Sequence, residues 1–176
     1  MKKFLSISTI ALFGVIVTAF TANYDTNNTM EVIEVSKVPS VVIQTLESKA
    51  INSEDIISSE NPTLLVFWAT CCAPCKKELL TISKVYEDWK KETGVNIVAI
   101  SVDLPQYANG VAPFVNKYNW DFDVYLDVKR NLMHKMNAYS TPHSFLINKT
   151  GEIVWEKQGF VYGDEKAIIE KIKELK

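Results

Sequence analysis

The sequence predicts an α/β fold, a three-layer sandwich in which helices cover both faces of a central mixed sheet. An apolar run at 64–68 is followed by a helical pattern and then by a second apolar run at 95–103. A strand, a helix and a strand in this order imply a parallel pair. Residues 144–156 contain two strand patterns around a turn with Gly, which predicts an antiparallel hairpin, and an amphipathic helix over 163–175 follows. The order β-α-β-α-β-β-α therefore combines parallel and antiparallel strands.

The first residues carry the pattern of an export signal. Met1-Lys2-Lys3 is a positively charged start, residues 4–20 are apolar, and Val17-Thr18-Ala19 offers small residues for cleavage. We interpret residues 1–22 as a signal peptide or an N-terminal membrane anchor, because the apolar run is at the short limit of a membrane span, about 17 residues. Both interpretations place the domain outside the cytoplasm. No Cys lies near Ala19, so a lipid-anchored form is not supported.

Composition defines the domain organisation after this segment. Residues 23–37 begin with a polar stretch and are interpreted as a tether and the start of an N-terminal hairpin, and residues 38–176 as one folded domain. The chain is 47% hydrophobic, which is enough for a sizeable core. A formal net charge of -2 gives no reason to expect nucleic acid as a partner.

Short patterns predict the N-terminal hairpin. Residues 31–35 and 41–46 have the composition of strands and are separated by a turn at Pro39. The following segment, 52–57, is predicted to be a short helix or turn capped by Ser53.

The middle of the chain is assigned from periodicity. Residues 76–93 carry a helical pattern that Gly94 ends as a C-cap. A second helix is predicted over 107–118, a short strand over 121–126 and a third helix over 129–136. Apolar residues at helical spacing predict the buried face of the first helix: Leu79, Ile82, Val85, Tyr86 and Trp89.

Two cysteines lie where the strand at 64–68 gives way to the first helix. Cys72 and Cys75 form a C-x-x-C motif, and Pro74 supplies a fixed φ for the first helical turn. Unpaired N–H groups and the positive end of the helix dipole favour a thiolate there, and the spacing allows one turn to close a disulfide. Cys72 is the predicted nucleophile because it opens the helix, whereas Cys75 lies one turn in and is predicted to attack a mixed disulfide.

The flanks of the motif follow a known pattern. Trp68-Ala69-Thr70 precede it and Lys76-Lys77-Glu78 follow it, while Cys71 departs from the pattern because a second Trp is usual there. From about Val38 to the C-terminus the chain resembles the thioredoxin superfamily, specifically the extracytoplasmic thiol:disulfide oxidoreductases of the TlpA/ResA type. The resemblance implies a thioredoxin-like sandwich with an added N-terminal hairpin. It also implies an enzyme with a redox-active Cys72-Cys75 disulfide and with no cofactor or metal.

The resemblance further implies roles for residues outside the motif. Thr141-Pro142 lies where the family places a cis-proline that faces the dithiol, and the Pro-x-x-Phe-Leu-Ile-Asn-x-x-Gly pattern that begins there supports the match. Glu78 matches a carboxylate that ResA-like proteins carry near the dithiol, with proton handling for Cys75 as its implied role. The alternative is an exposed first-turn Glu that only favours the helix dipole. The residues predicted to contact a client are Trp68, Thr141, Pro142 and His143.

The function that the resemblance implies is reduction of client disulfides in a bacterial periplasm or cell envelope. Cys72 attacks the client disulfide, and Cys75 resolves the mixed disulfide that forms. By resemblance, the clients are proteins with disulfides and include apocytochrome c with its haem-attachment cysteines. A membrane electron donor of the CcdA/DsbD kind then restores the dithiol.

Other functions stay open on the sequence alone. Cys71 and Cys75 have the C-x-x-x-C spacing of Sco-type copper chaperones, which recruit a distal His, and His134 and His143 are the candidates. Pro74 argues against this function, because Sco-like loops place Pro after the second Cys. A thioredoxin-fold module that binds clients or metal without turnover is the other alternative. Cys71 itself is interpreted as a neutral filler, an extra thiol or a metal ligand.

Two further interpretations of the cysteines fit poorly. A structural disulfide is disfavoured because Cys71 and Cys72 are adjacent and the chain has 3 cysteines, an odd number. A peroxiredoxin would need a Pro-x-x-x-Thr/Ser-x-x-Cys setting, and Cys72 lacks the preceding proline.

Overall fold

The computed structural model describes residues 37–175 of the chain. The predicted signal peptide or anchor (1–22), the predicted strand at 31–35 and all but the last residue of the predicted tether (23–37) lie outside that range. Within it, no helix combines the length and the apolar character that crossing a bilayer requires.

The described residues form one mixed sheet with helices on both sides. The strand order is β2-β1-β5-β4-β3-β6-β7; β3, β4 and β5 are parallel, and all other neighbouring pairs are antiparallel. The predicted α/β fold with a mixed sheet is therefore confirmed. The strands are β1 (Val42–Thr45), β2 (Ala50–Asn52), β3 (Thr63–Trp68), β4 (Asn96–Ser101), β5 (Asp123–Leu126), β6 (His143–Ile147) and β7 (Ile153–Gln158). The helices are α1 (Ala73–Ser83), α2 (Tyr86–Thr93), α3 (Pro105–Ala108), α4 (Val111–Tyr118), α5 (Asn131–Lys135) and α6 (Asp164–Lys173).

The central strand β3 separates two apolar cores. Its alternate residues Leu64, Val66 and Trp68 lie in one core, together with side chains from α1, α2, α4 and α6. Leu65 and Phe67 lie in the other core, with α5 and the segment around β1, because successive strand residues point to opposite faces. The three layers of the sandwich follow directly from this alternation.

Two predicted helices are each divided in the structure. The pattern at 76–93 forms α1 and α2, which are separated at Lys84 and Val85. The hydroxyls of Thr81 and Ser83 hydrogen-bond to the carbonyls of Lys77 and Leu80, and such bonds compete with the helical pattern and bend helices. The apolar spacing continues across the break, which explains why periodicity alone does not detect it.

The second division follows from proline and glycine. The pattern at 107–118 belongs to α3, which starts earlier at Pro105, and to α4, and Asn109 and Gly110 separate them. Pro113 lies in the first turn of α4, where its missing N–H costs nothing, so a new helix starts there rather than continuing through the proline.

The predicted strand at 41–46 is present as β1, but its hairpin partner within the described residues is a strand that follows it. β1 pairs with β2, which the sequence analysis did not identify, and the segment 52–57 continues from that strand as a turn and not as a helix. Ser53 does not cap a helix. It is completely buried, and its hydroxyl accepts a hydrogen bond from the N–H of Val41 at 2.9 Å and donates one to the carbonyl of Pro39. Ser53 therefore fixes the hairpin to the chain that enters it.

Three connecting segments meet at the carboxyl end of β3. The last residue of β3, Trp68, pairs with the last residue of β4, Ser101, because these strands are parallel. β6 is antiparallel to β3, so its first residue, His143, pairs with Phe67. The C-x-x-C motif, the segment after β4 and the Thr141-Pro142 segment consequently lie together.

Candidate active site

Helix α1 begins directly after Cys72, which is its N-cap residue. The Sγ of Cys72 accepts a hydrogen bond from the N–H of Cys75 at 3.2 Å, and Pro74 lies in the first turn. A disulfide joins the two sulfurs, with the Cα atoms 5.3 Å apart. The side chain of Cys75 is completely buried and that of Cys72 is half-buried. Cys72 is therefore the more accessible residue of the pair, whereas Cys75 offers no surface to a client.

The loop before the disulfide is held by a buried carboxylate that the sequence analysis missed. Asp103 accepts hydrogen bonds from the N–H and the hydroxyl of Thr70, both at 2.8 Å, and from the hydroxyl of Ser101 at 2.9 Å. It is only 4% exposed. One sequence feature could have identified Asp103 as a site residue: it ends the predicted strand at 95–103, which runs parallel to β3. The carboxyl ends of neighbouring parallel strands lie at the same edge of a sheet.

We expect Asp103→Ala to lower the free energy of unfolding of the oxidised protein by about 2–4 kcal/mol, because it removes three hydrogen bonds to a buried side chain and leaves their donors without an acceptor. Urea denaturation measures the change. Asp55→Ala is the matched control, because Asp55 is exposed. Equal changes in the two variants would contradict the role of Asp103.

The Thr141–Pro142 peptide bond is cis, as the family resemblance implies. Pro142 is buried, and its carbonyl accepts a hydrogen bond from the N–H of Gly159 at 2.8 Å. Thr141 is half-buried, and within residues 37–175 its own N–H and C=O form no backbone hydrogen bond. The backbone of Thr141 is thus free to pair with an extended segment.

Glu78 lies one helical turn after Cys75 and is buried, with 1% of its surface exposed. Its Oε1 accepts a hydrogen bond from the hydroxyl of Ser144 at 2.6 Å, and its Oε2 has no partner among the described residues. Burial raises the pKa of Glu78 to about 7, and the hydrogen bond from Ser144 opposes part of that rise. The alternative of an exposed first-turn Glu does not fit this environment.

The raised pKa of Glu78 makes the stability of the fold depend on pH. Its carboxyl has a pKa of 4.5 in the unfolded chain and about 7 in the folded one, so the unfolded state releases the proton first as pH rises. We expect this contribution to be fully present below pH 4.5 and lost as pH rises through about 7, by about 3 kcal/mol in total.

Urea denaturation at pH 4.5 and at a pH above 7 measures this loss in the wild type and in Glu78→Gln. The difference between the two isolates Glu78, because the other titrating groups are common to both proteins. Glu87→Gln, an exposed substitution on α2, should keep the loss. A Glu78→Gln protein with the full wild-type pH dependence would refute this assignment.

His143 and Ser144 project to opposite faces of β6, so His143 does not share the α1 side with Glu78. The ring of His143 stacks on Phe145 with centroids 4.4 Å apart, and its Nε2 lies 3.4 Å from Oε2 of Glu156. The side chain is 7% exposed, and burial lowers its pKa. His143 therefore offers a client at most a narrow edge.

Trp68 was predicted to contact a client, but its side chain is completely buried. Its ring packs against Phe114 and Trp120, with centroids 5.4 and 5.0 Å away. β3 is covered by helices on this face, so in the described conformation a client cannot touch Trp68. We correct its role to one of packing beneath the site.

Cys71 is exposed and is not part of a disulfide. Cys75, its partner in the copper alternative, is instead bonded to Cys72. His134 is exposed on α5, and its ring lies 6.4 Å from that of Tyr139. Over residues 37–175, no group of three or more His, Cys, Asp or Glu side chains is placed to hold a metal ion. No contact in the described chain favours copper binding over dithiol chemistry.

Known proteins resemble this chain over most of its length. The model of the AhpC/TSA family matches residues 35–156. The thiol-disulfide oxidoreductase ResA of Bacillus thuringiensis subsp. konkukian is 34% identical over 130 residues, which cover 73% of this chain and 72% of ResA. The sporulation thiol-disulfide oxidoreductase A of Bacillus subtilis is 34% identical over 125 residues, 69% of this chain and 73% of that protein. The solution structure of an uncharacterized thioredoxin-like protein from Porphyromonas gingivalis superposes with a TM-score of 0.71 at 34% identity, covering 78% of this chain and 90% of that one.

Proposed function

The chain belongs to the AhpC/TSA family and is a ResA-like thiol-disulfide oxidoreductase, and from this premise we propose that it works outside the cytoplasm as a reductant of client disulfides. The observation that carries the proposal is the asymmetry of the disulfide. Cys72 is half-buried at a helix N-terminus, whereas Cys75 is completely buried one turn from Glu78. This is the arrangement that an attacking and a resolving cysteine need.

The reaction runs in two exchanges. The Cys72 thiolate attacks one sulfur of the client disulfide, so that a Cys72–client bond forms and the other client sulfur leaves as a thiolate. Cys75 then loses its proton to the Glu78 carboxylate and attacks Sγ of Cys72. The Cys72–Cys75 bond forms, the mixed disulfide breaks, and its electron pair leaves with the second client sulfur. The client gains two electrons, and both client thiolates take protons from water.

The client would lie along the Thr141-Pro142 segment. Among residues 37–175 the N–H and C=O of Thr141 have no backbone partner, so they could pair with an extended client segment and hold its disulfide beside Cys72. His143 would contact the client only through the small part of its side chain that is exposed.

In this proposal the domain is exported and exchanges electrons with a membrane donor and with client proteins. Residues 1–22 would direct export of the domain, and they would then either be cleaved off or remain as a membrane anchor. A membrane donor of the CcdA/DsbD kind would return two electrons to the disulfide after each client. Clients would include the haem-attachment cysteines of apocytochrome c, which must be reduced before haem is attached.

The test uses a synthetic peptide that carries a C-x-x-C-H haem-attachment motif as a disulfide. Reduced full-length protein is mixed with the oxidised peptide, and the peptide thiols released in a single turnover are counted. We expect nearly complete reduction by the wild type and by Cys71→Ser, and none by Cys72→Ser. A wild-type protein that leaves the peptide oxidised would overturn the proposed function, as would a Cys72→Ser protein that reduces it.

A further inference from the structure

A buried polar cluster connects the site to the surface between α1, β6, β7 and α6. Its first member is Glu78, which accepts the hydrogen bond from Ser144. Ser144 lies directly opposite Lys157 across the antiparallel pair of β6 and β7, so both side chains project to the same face of the sheet. That face is the α1 side, because Leu146, two residues after Ser144, lies in the core that α1 lines.

Lys157 is held in this position by partners on the next elements. Its Nζ lies 2.9 Å from Oδ2 of Asp164, the first residue of α6, and donates a hydrogen bond to the carbonyl of Gly159 at 3.3 Å. The two side chains of the ion pair are 28% and 18% exposed, so water screens them only in part. The cluster thus ends in a fixed charge pair at the edge of the buried region.

The charges that act on Glu78 come from this pair. Lys157 favours the ionised carboxylate, whereas Asp164 and burial favour the neutral acid. Lys77, the neighbour of Glu78 on α1, is exposed, and its Nζ lies over the ring of Tyr162 at 4.1 Å from the centroid. On β6 the facing group is the neutral hydroxyl of Ser144. Of these groups Lys157 is therefore the cation through which the surroundings stabilise the Glu78 carboxylate.

We propose that Lys157, held in place by Asp164, is a positioning residue that keeps Glu78 able to accept the proton of Cys75. The proposal deepens the proposed function and depends on it. In each turnover Glu78 gains one proton as Cys75 becomes the attacking thiolate, and it must lose that proton, to water or back to Cys75 when the disulfide is reduced again, before the next turnover. Glu78 must therefore be ionised before it accepts the proton of Cys75 and again after it has lost that proton. A neighbouring cation favours the ionised form at both stages, since it lowers the free-energy cost of a buried negative charge.

The experiment isolates the resolving step. Reduced full-length protein carrying Cys71→Ser, which removes the exposed third thiol, is mixed with the aromatic disulfide dithionitrobenzoate in a stopped-flow instrument. Attack by Cys72 releases the first coloured thiolate, and attack by Cys75 on the mixed disulfide releases the second. The rate of the second release is recorded against pH in Lys157→Met, Lys157→Arg and Lys166→Met. Lys166 is an exposed lysine of α6, so its variant controls for loss of a positive charge.

The rate of the second thiolate release should rise with pH, and the pH at the midpoint of that rise is the quantity compared. We expect this midpoint to be higher in Lys157→Met by about 0.5 to 1 pH unit, because the cation that favours the Glu78 carboxylate is gone. Lys157→Arg should restore the wild-type midpoint, and Lys166→Met should leave it unchanged. An unchanged or lowered midpoint in folded Lys157→Met protein, while Glu78→Gln still alters the profile, would overturn the role of Lys157 alone. A profile that Glu78→Gln does not alter would overturn the role of Glu78 in the proposed function as well.

Discussion

The Cys75→Ser protein is expected to stop at the mixed disulfide. Cys72 still attacks a client, but no buried thiol remains to release it, so multiple-turnover reduction falls by at least about a thousandfold. Client and enzyme remain joined through Cys72. Non-reducing gel electrophoresis after acid quenching detects the joined species, and mass spectrometry of its tryptic peptides locates the bond.

The other cysteines provide the matched controls for this trap. The double variant Cys72→Ser, Cys75→Ser should form no mixed disulfide, although the exposed Cys71 is still present. Cys71→Ser with Cys75→Ser should trap as well as Cys75→Ser alone. A protein that carries metal without turnover would behave differently, since Cys75→Ser would then lose the metal and trap no client.

Glu78→Gln is expected to slow the resolving step by about a hundredfold at a pH above 7, the lower end of the usual gain from a positioned base. In the wild type the rate should rise with pH through about 7, because only the ionised carboxylate can accept the proton of Cys75. Gln keeps the size of the side chain and an oxygen for the hydroxyl of Ser144, but it accepts no proton at any pH. The stopped-flow release of the second thionitrobenzoate measures both the rate and its pH dependence.

The attack of Cys72 serves as the internal control for Glu78→Gln, because the first release in the same trace should keep the wild-type rate. Glu87→Gln, on the exposed face of α2, should leave both releases unchanged. If the resolving rate of Glu78→Gln matched the wild type at every pH, the base that serves Cys75 would have to be another group.

Local patterns were sufficient to predict much of the fold and the centre of the site. The β3–α1 junction, the hairpin turn before Gly151 and the C-x-x-C motif each depend on residues within one or two turns of one another. The break between α1 and α2 was not predicted, because the apolar spacing continues through Val85. The hydroxyls of Thr81 and Ser83 hydrogen-bond to backbone carbonyls of the preceding turn, and the apolar pattern does not reveal such bonds.

The remaining parts of the site depend on contacts between distant residues. Asp103 meets Thr70 across 33 positions, and Ser144 meets Glu78 across 66. No spacing rule links such residues before the strand order is known. The same limit explains Trp68, whose place in the family motif suggested a client contact although α4 covers it through Phe114. Sequence reasoning identified which groups could react, and the fold determined which of them a client can reach.

The equilibrium reduction potential of the Cys72–Cys75 pair tests the central claim most directly. It is measured in the full chain with dithiothreitol and glutathione redox buffers and a metal chelator, in the wild type and in Cys71→Ser. We expect a value at or below that of thioredoxin, about -270 mV, in both proteins, as a reductant with a dedicated electron donor requires. A value near that of DsbA, about -120 mV, would contradict the account and identify the protein as a donor of disulfides.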